Sequence, residues 1–197
     1  MRPLVLASQS PIRAQLLRQA GLAFEITAAA VDETGLKAEQ LRQGLGPAAI
    51  ARSLAEAKAA NASARHAGLI IGADQTLELE GKLFDKPSSA AEAEAQLKAL
   101  RGRRHQLHAA TALAENGAVI WSELQSASLT MRDFSDGYLR GYMDRNAEAV
   151  LACVGAYQLE GEGVQLFDHI DGDYFAILGL PMLGLLAELR RRGISTP

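Results

Sequence analysis

The chain has 197 residues, enough for one large domain or two small lobes that need no disulfide or metal to fold. Hydrophobic residues make up 48% and charged residues 22%, values typical of folded proteins rather than disordered ones. The net charge of -3 argues against a broad nucleic-acid-binding surface, and a single cysteine, Cys153, excludes an internal disulfide framework.

The first half of the chain alternates predicted strands and helices. Ser10 followed by Pro11 is typical of a helix start, and Gly21 is typical of its end. The apolar run over 68–77 is the strongest signal for a buried strand, and Asp74 lies inside it. The predicted elements are strands over 4–7, 24–28 and 68–77, helices over 11–20 and 47–65, and an irregular or partly helical loop over 31–46.

The second half of the chain contains a predicted hairpin. Asn116-Gly117 favours a two-residue turn between strands over 105–115 and 119–130. The other predicted elements are helices over 87–100, 135–146 and 174–192, the last restarted at Pro181, and short strands over 153–159 and 164–170. This order predicts an α/β fold with a mixed sheet, in a single domain over 1–197 whose hairpin half, around 100–150, is a candidate second lobe.

Neither a secretory signal nor a membrane-spanning helix is predicted. The apolar run that begins at Leu4 is too short for a signal, and no stretch approaches ~18 apolar residues. We therefore expect a soluble protein of the cytoplasm.

A candidate phosphate site follows the first strand. Two hydroxyls, Ser8 and Ser10, and the guanidinium of Arg13 surround the start of the first helix, where free backbone N–H groups favour an anion. The alternative is an ordinary Ser-Pro cap with a surface arginine.

Carboxylates form a second candidate site. A carboxylate such as Asp74 needs a partner inside an apolar strand, and the alternative is that Asp74 only caps a turn. Asp74 and Glu33 together could hold Mg²⁺. The alternative for Glu33 is a solvated loop. Lys58, Lys82 and Lys86 are candidate cations, and Lys86, which precedes a predicted helix start, could lie near a bound phosphate. The alternative for each lysine is a solvated surface position.

Several other chemistries have no support in the sequence. There is no P-loop, no dinucleotide-binding glycine motif and no histidine spacing for a zinc hydrolase. Cys153 is interpreted as a core residue, and the basic run over 101–104 as a solvated surface.

Taken together, these segments resemble the Maf family of nucleoside triphosphate pyrophosphatases along nearly the whole chain. Each matching motif is short, but their order is highly specific. The matching segments are Leu6-Ala7-Ser8-Gln9-Ser10-Pro11-Ile12-Arg13, Val31-Asp32-Glu33, Leu54-Ala55-Glu56-Ala57-Lys58-Ala59, Ile71-Gly72-Ala73-Asp74, Gly81-Lys82 to Lys86-Pro87, Gly155-Ala156-Tyr157, Gly172-Asp173-Tyr174 and Gly179-Leu180-Pro181.

The resemblance implies hydrolysis of a nucleoside triphosphate to a monophosphate and pyrophosphate with a divalent cation, Mg²⁺ or Mn²⁺. It implies a mixed sheet with flanking helices and two lobes around a central cleft, the fold shared by Maf and inosine triphosphate pyrophosphatases, and a homodimer. The net charge of -3 separately argues against a stable nucleic-acid partner. The implied residues are Asp74, Lys86 and Lys58 for catalysis, Ser8, Ser10 and Arg13 for phosphate, and Glu33 and Asp74 for the metal. Which carboxylate is the base and which the metal ligand is left open.

The resemblance also implies positions for base selection, Ile12, Gln75 and Glu160. Gln75 and Glu160 are similar to the branch that acts on 7-methyl-GTP, and a carboxylate at 160 could accept hydrogen bonds from guanine. Ile12 departs from the branches for 7-methyl-GTP and for dTTP and UTP, because it offers no aromatic surface. The alternatives are a dTTP/UTP pyrophosphatase or a non-catalytic nucleotide-binding regulator of septum formation.

Overall fold

A seven-stranded sheet runs through the computed structural model, which describes residues 2–194. Its strands are β1 (Leu4–Leu6), β2 (Glu25–Ile26), β3 (Leu69–Leu79), β4 (Lys82–Phe84), β5 (Arg104–Glu115), β6 (Ala118–Met131) and β7 (Phe167–Asp171). The order is β2-β1-β3-β5-β6-β7, with β4 paired to β3 outside this path. β1 is parallel to β2 and β3, and the other pairs are antiparallel. The predicted mixed α/β sheet is therefore confirmed.

Helices flank this sheet. They are α1 (Pro11–Gln19), α2 (Glu33–Arg42), α3 (Pro47–Ser63), α4 (Ala90–Leu100), α5 (Asp136–Arg145), α6 (Ala149–Ala152), α7 (Tyr174–Ile177) and α8 (Met182–Arg191). Ser89 and Ser135 accept hydrogen bonds from backbone N–H groups at the starts of α4 and α5, as Ser10 does for α1. Across residues 2–194, no helix combines the length and the apolar character that a membrane span requires.

The hairpin turn between β5 and β6 is confirmed. Asn116 and Gly117 have φ values of 52° and 80°, and a two-residue turn of this kind needs positive φ at both central positions. The long β5–β6 pair continues the sheet that contains β1 and β3, so both halves of the chain share one sheet.

An alanine seam joins α3 to the sheet. It consists of Ala51, Ala55 and Ala59 on α3 and Ala110, Ala112 and Ala114 on β5, all fully buried. Gly72 of β3 lies against the same helix. A Cβ at Gly72 would be 2.6 Å from the Ala59 backbone nitrogen and closer still to the Ala55 carbonyl oxygen. Small side chains therefore let the backbone of α3 approach the sheet closely.

Several predicted segments differ from the structure. Residues 33–42, within the predicted irregular or partly helical loop, form the regular helix α2, capped by Asp32. The predicted strand over 153–159 is wrong, because Gly155 and Ala156 have φ values of 76° and 60°, which an extended strand does not allow. Residues 162–166 also form a 3₁₀ turn ahead of β7, and α4 begins at Ala90, three residues after Pro87.

Candidate functional site

The start of α1 places two hydroxyls and a guanidinium together. Ser10 Oγ accepts from the backbone nitrogen of Arg13 at 3.5 Å, and Ser8 Oγ accepts from the backbone nitrogen of Ser10 at 3.3 Å. Arg13 Nη1 also donates to Ser8 Oγ, at 3.3 Å. Ser8, Ser10 and Arg13 therefore form one cluster, as expected for a site that binds an anion at a helix N-terminus.

The Arg13 guanidinium is held by backbone carbonyls from two distant segments. Nη1 lies 2.9 Å from the Ala73 oxygen on β3, and Nε lies 2.8 Å from the Gly179 oxygen, after α7. Burial lowers the pKa of Arg13, while the negative charges of Asp74 and Glu33 raise it. An arginine nevertheless keeps its proton in proteins, so the site contains a fixed, partly desolvated positive charge.

Lys58 connects the two predicted acidic residues. Its Nζ lies 2.6 Å from Asp74 Oδ1 and 2.8 Å from Glu33 Oε2. Lys58 and Asp74 are both buried, whereas the Glu33 side chain is 48% exposed. Three segments far apart in sequence, α2, α3 and β3, thus bring two carboxylates to one ammonium group. Asp74 lies within β3 and not at its end, because β3 continues to Leu79.

The start of α2 explains how Glu33 reaches this cluster. Asp32 Oδ1 accepts from the backbone nitrogen of Gly35 at 2.9 Å and caps the helix. Glu33 is then the first residue of α2. Asp32 and Glu33 therefore have different roles, since Asp32 fixes the local backbone and Glu33 contacts Lys58.

A cavity of about 150 Å³ lies beside these groups, enough for about five water molecules. It is lined by Ala7, Ser8, Gln9, Ala28, Ala29, Glu33 and Lys58. A wider depression of about 430 Å³ lies at the end of α3, where its lining residues, 63–67 and Asn116, include none of the predicted site residues. The smaller cavity is therefore the one associated with the candidate site.

Lys86 and Glu160 are exposed, and both act electrostatically on Cys153. Burial raises the pKa of the Cys153 thiol, and the charge of Glu160 acts in the same direction. A hydrogen bond with Gln158 and the charges of Lys86 and Arg13 oppose this increase. Cys153 is only half-buried, so its interpretation as a core residue is wrong.

The other two base-selection candidates, Ile12 and Gln75, make contacts within the protein. Ile12 is partly buried and packs against the hydrophobic cluster around β1 and α8. Gln75 Nε2 donates to the carbonyl oxygens of Ala176 and Ile177, at 3.0 and 2.8 Å. Lys82 is exposed on β4.

The backbone carbonyls that hold Arg13 were not among the predicted site groups. The Ala73 and Gly179 oxygens carry no side-chain signal, so no residue pattern could have predicted them. Gly179 does lie within the quoted Gly179-Leu180-Pro181 motif, and its φ of 86° is a conformation that favours glycine.

Comparisons with known proteins agree with the resemblance. Residues 3–192 match the Maf-like protein family. A "Nucleoside triphosphate pyrophosphatase" from Caulobacter vibrioides is 51% identical over 196 residues, covering 100% of this chain and 98% of that protein. A "7-methyl-GTP pyrophosphatase" from Rhizobium meliloti is 48% identical over 195 residues, covering 98% of each. A second "Nucleoside triphosphate pyrophosphatase", from Paramagnetospirillum magneticum, is 48% identical over 194 residues, covering 98% of this chain and 100% of that protein. This chain therefore belongs to the Maf-like protein family.

Proposed function

We propose that this protein hydrolyses nucleoside triphosphates to a nucleoside monophosphate and pyrophosphate. The observation that carries the proposal is the Lys58 ammonium held between Asp74 and Glu33, near the half-buried Arg13 and a cavity at the start of α1. Full-length relatives named nucleoside triphosphate pyrophosphatase support the same reaction.

The residues divide the chemistry between them. Water attacks the α-phosphorus, the bond from that phosphorus to the oxygen bridging to the β-phosphorus breaks, and pyrophosphate leaves. Asp74 orients the water and accepts its proton. Arg13 and Lys86 offset the charge of the phosphates, and Ser8 and the first N–H groups of α1 hold phosphate oxygens.

Lys58 has a distinct part in this proposal. Its ammonium contacts both carboxylates, so it links Asp74 on β3 to Glu33 at the start of α2 and holds the two side chains at a fixed spacing.

The acidic residues also fit a divalent metal. Asp74 and Glu33 already converge on one cation, and Mg²⁺ is commonly bound by one or two carboxylates together with water and substrate phosphates. No group of three or more His, Cys, Asp or Glu residues suited to a metal occurs in residues 2–194, so phosphates and water would complete the ligand set. A bound Mg²⁺ or Mn²⁺ would neutralise phosphate charge and polarise the attacked phosphorus.

We propose 7-methyl-GTP as the preferred substrate, with Glu160 as the residue that recognises the base. Of the three candidates, Glu160 is exposed, whereas Ile12 packs against a hydrophobic cluster and Gln75 is bonded to α7. A carboxylate can accept hydrogen bonds from the N1–H and 2-amino groups of guanine, and its charge favours a cationic methylated base. The name of the Rhizobium meliloti relative supports this choice.

A panel of nucleotides with product identification tests these proposals. The protein is incubated with Mg²⁺ and with GTP, 7-methyl-GTP, UTP or dTTP, and pyrophosphate is separated from phosphate. We expect pyrophosphate and monophosphate, formed fastest from 7-methyl-GTP. A preference for dTTP and UTP would overturn the base assignment, and binding without any turnover would favour the non-catalytic regulator.

The proposal includes a homodimer, as the family resemblance implies. Sedimentation velocity at several protein concentrations tests it. A single species with the mass of one chain throughout would contradict it.

A further inference from the structure

Gln75 and Asp74 are neighbours on β3, but their side chains lie on opposite faces of the sheet. Asp74 points toward α3 and contacts Lys58, while Gln75 points toward the end of α7. The two neighbours therefore serve different parts of the site.

The Gln75 amide is committed to the backbone of α7. Its Nε2 donates to the Ala176 oxygen at 3.0 Å and to the Ile177 oxygen at 2.8 Å, so both amide hydrogens are used. These carbonyls lie in the last turn of the four-residue helix α7, where the Ala176 oxygen also accepts from the backbone nitrogen of Gly179 at 2.9 Å. The Gln75 amide thus acts as a side-chain cap for the C-terminus of α7.

The segment held by this cap reaches Arg13 two residues later. The Gly179 carbonyl accepts from Arg13 Nε at 2.8 Å, and a Cβ at Gly179 would lie 3.2 Å from Arg13 Nη2 and 3.5 Å from Gln75 Oε1. On its other side, Arg13 donates to the Ala73 carbonyl, two residues before Gln75 on β3. Arg13 is thus fixed between β3 and the segment that Gln75 holds against β3.

This arrangement leaves one nitrogen of the guanidinium for a ligand. Nε and Nη1 donate within the protein, whereas Nη2 has no hydrogen-bond partner among residues 2–194. The direction of Nη2 depends on the position of the Gly179 carbonyl, because the contact at Nε and the two contacts at Nη1 together fix the orientation of the planar group.

We propose that Gln75 is a positioning residue, which orients Arg13 toward the phosphates through Gly179 instead of reading the nucleobase. This inference rests on the proposed function for its substrate, but its central consequence concerns phosphate binding alone. Replacing Gln75 should weaken the binding of every triphosphate ligand by the same factor, whether or not the ligand carries a base.

The test compares inorganic triphosphate with nucleotides. Calorimetry in Mg²⁺ gives the Kd of inorganic triphosphate for the wild type, for Gln75→Met, which lacks the donors, and for Gln75→Glu, which places oxygen against two carbonyls. We expect about tenfold weaker binding for the Met variant and a larger loss for the Glu variant. The control is Gln106→Met, an exposed position on β5, which should bind like the wild type.

A double variant isolates the route through Arg13. In an Arg13→Lys background, Gln75→Met should change the Kd of triphosphate less than about twofold. Lysine lacks the planar guanidinium that the Gly179 carbonyl orients, so the effect of Gln75 on that group is lost. If Gln75→Met does not stay folded by circular dichroism, Gln75→Asn, which keeps the donors on a shorter chain, takes its place in the same comparison.

Activity on the nucleotide panel distinguishes a positioning role for Gln75 from a role in base selection. For Gln75→Met, kcat/KM should fall by one common factor for GTP, 7-methyl-GTP, UTP and dTTP. If Gln75→Met left the Kd of inorganic triphosphate unchanged but altered the ratios of kcat/KM between the four nucleotides, the inference would be overturned. Gln75 would then be assigned to base selection. A wild type that binds triphosphate but turns over no nucleotide would refute the proposed function, while the binding comparison would still decide the role of Gln75.

Discussion

Lys58 and Asp74 form a buried ion pair across the interface of α3 and β3, with Nζ 2.6 Å from Oδ1. The same ammonium lies 2.8 Å from Glu33 Oε2 at the start of α2. An ion pair of this kind is strongly affected by removal of one partner, because the other charge remains in a poorly solvated place. The first three predictions follow from how the pair is held.

Asp74→Asn should lower kcat at least about a hundredfold, because the amide cannot accept the proton of the attacking water. Lys58 keeps Glu33 as a partner, so we expect the variant to remain folded. Initial rates of pyrophosphate release check this, with Asp144→Asn, exposed on α5, as the control. Equal rates for Asp74→Asn and wild type would remove Asp74 from the mechanism.

Gly72→Ala should lower the free energy of unfolding by about 2 kcal/mol and reduce activity as well. Its methyl group would meet the α3 backbone at Ala55 and Ala59, so the helix carrying Lys58 must move away from Asp74. Urea unfolding and rate measurements test both effects.

Gly137→Ala is the matched control for this change. Gly137 lies in the first turn of α5, and a Cβ there would meet only Ser135 Oγ, at 3.8 Å. Alanine favours a helix over glycine, so this variant should be unchanged or slightly more stable. A loss of stability as large as that of Gly72→Ala would contradict the close approach of α3 as the cause.

Glu33→Gln should raise the Mg²⁺ concentration needed for half-maximal activity about tenfold or more, since one of two candidate carboxylate ligands is lost. Stability should change little, because Glu33 is half-exposed. Metal titrations of the rate check the expectation, with Glu25→Gln on β2 as the control. An unchanged Mg²⁺ dependence would argue that Glu33 serves only to hold Lys58.

Stability should decrease as the pH falls from about 6.5 to about 4. Burial lowers the pKa of His105 to about 4, while the unfolded chain protonates near 6.5. In this pH range His105 binds more protons in the unfolded state than in the folded state. Its contribution therefore lowers the free energy of unfolding by an amount that approaches about 3 kcal/mol below pH 4. Urea unfolding at several pH values tests this, and His105→Gln should flatten the dependence while His169→Gln, at an exposed position, should not.

Glu160→Gln should reduce the preference for 7-methyl-GTP over UTP about tenfold, because the carboxylate that accepts from guanine and attracts its charge is lost. The kcat/KM for UTP should stay within about twofold of wild type. Glu148→Gln, also exposed, is the control. An equal loss on both nucleotides would assign Glu160 a role that does not depend on the base.

Strong local signals in the sequence predicted much of the fold. Ser10-Pro11 marks the start of α1, Asn116-Gly117 forms the hairpin turn, and Asp74 lies in a buried strand as expected. Each of these features depends on neighbouring residues, which is why the sequence was sufficient to find them.

Helix α2 lies in a segment predicted only as an irregular or partly helical loop, because the helix packs lightly. Gln40 is its one buried residue, so no apolar periodicity marks the segment, although Asp32 and most residues after it favour a capped helix. The strand predicted over 153–159 failed for the opposite reason, since its apolar composition conceals the positive φ of Gly155 and Ala156.

The structure brings together several of the predicted site residues, but the sequence did not predict the contacts between them. The shared ammonium of Lys58 depends on how α2, α3 and β3 pack, and the clamp on Arg13 uses carbonyls that any residue could supply. The placing of Lys86 and Glu160 around a substrate stays a prediction, as do the metal, the homodimer, the cytoplasmic location and the single domain with its candidate lobe.

The alanine seam also has a consequence for the spacing of the site residues. Small, fully buried side chains meet along it, so the backbones of α3 and β5 lie close together and we expect α3 to keep its position on the sheet. Lys58 on α3 and Asp74 on β3 should then hold a constant spacing in the presence of different ligands. We expect any adjustment to ligand size on the other side of the cavity, which includes Ala28, Ala29 and the half-exposed Glu33.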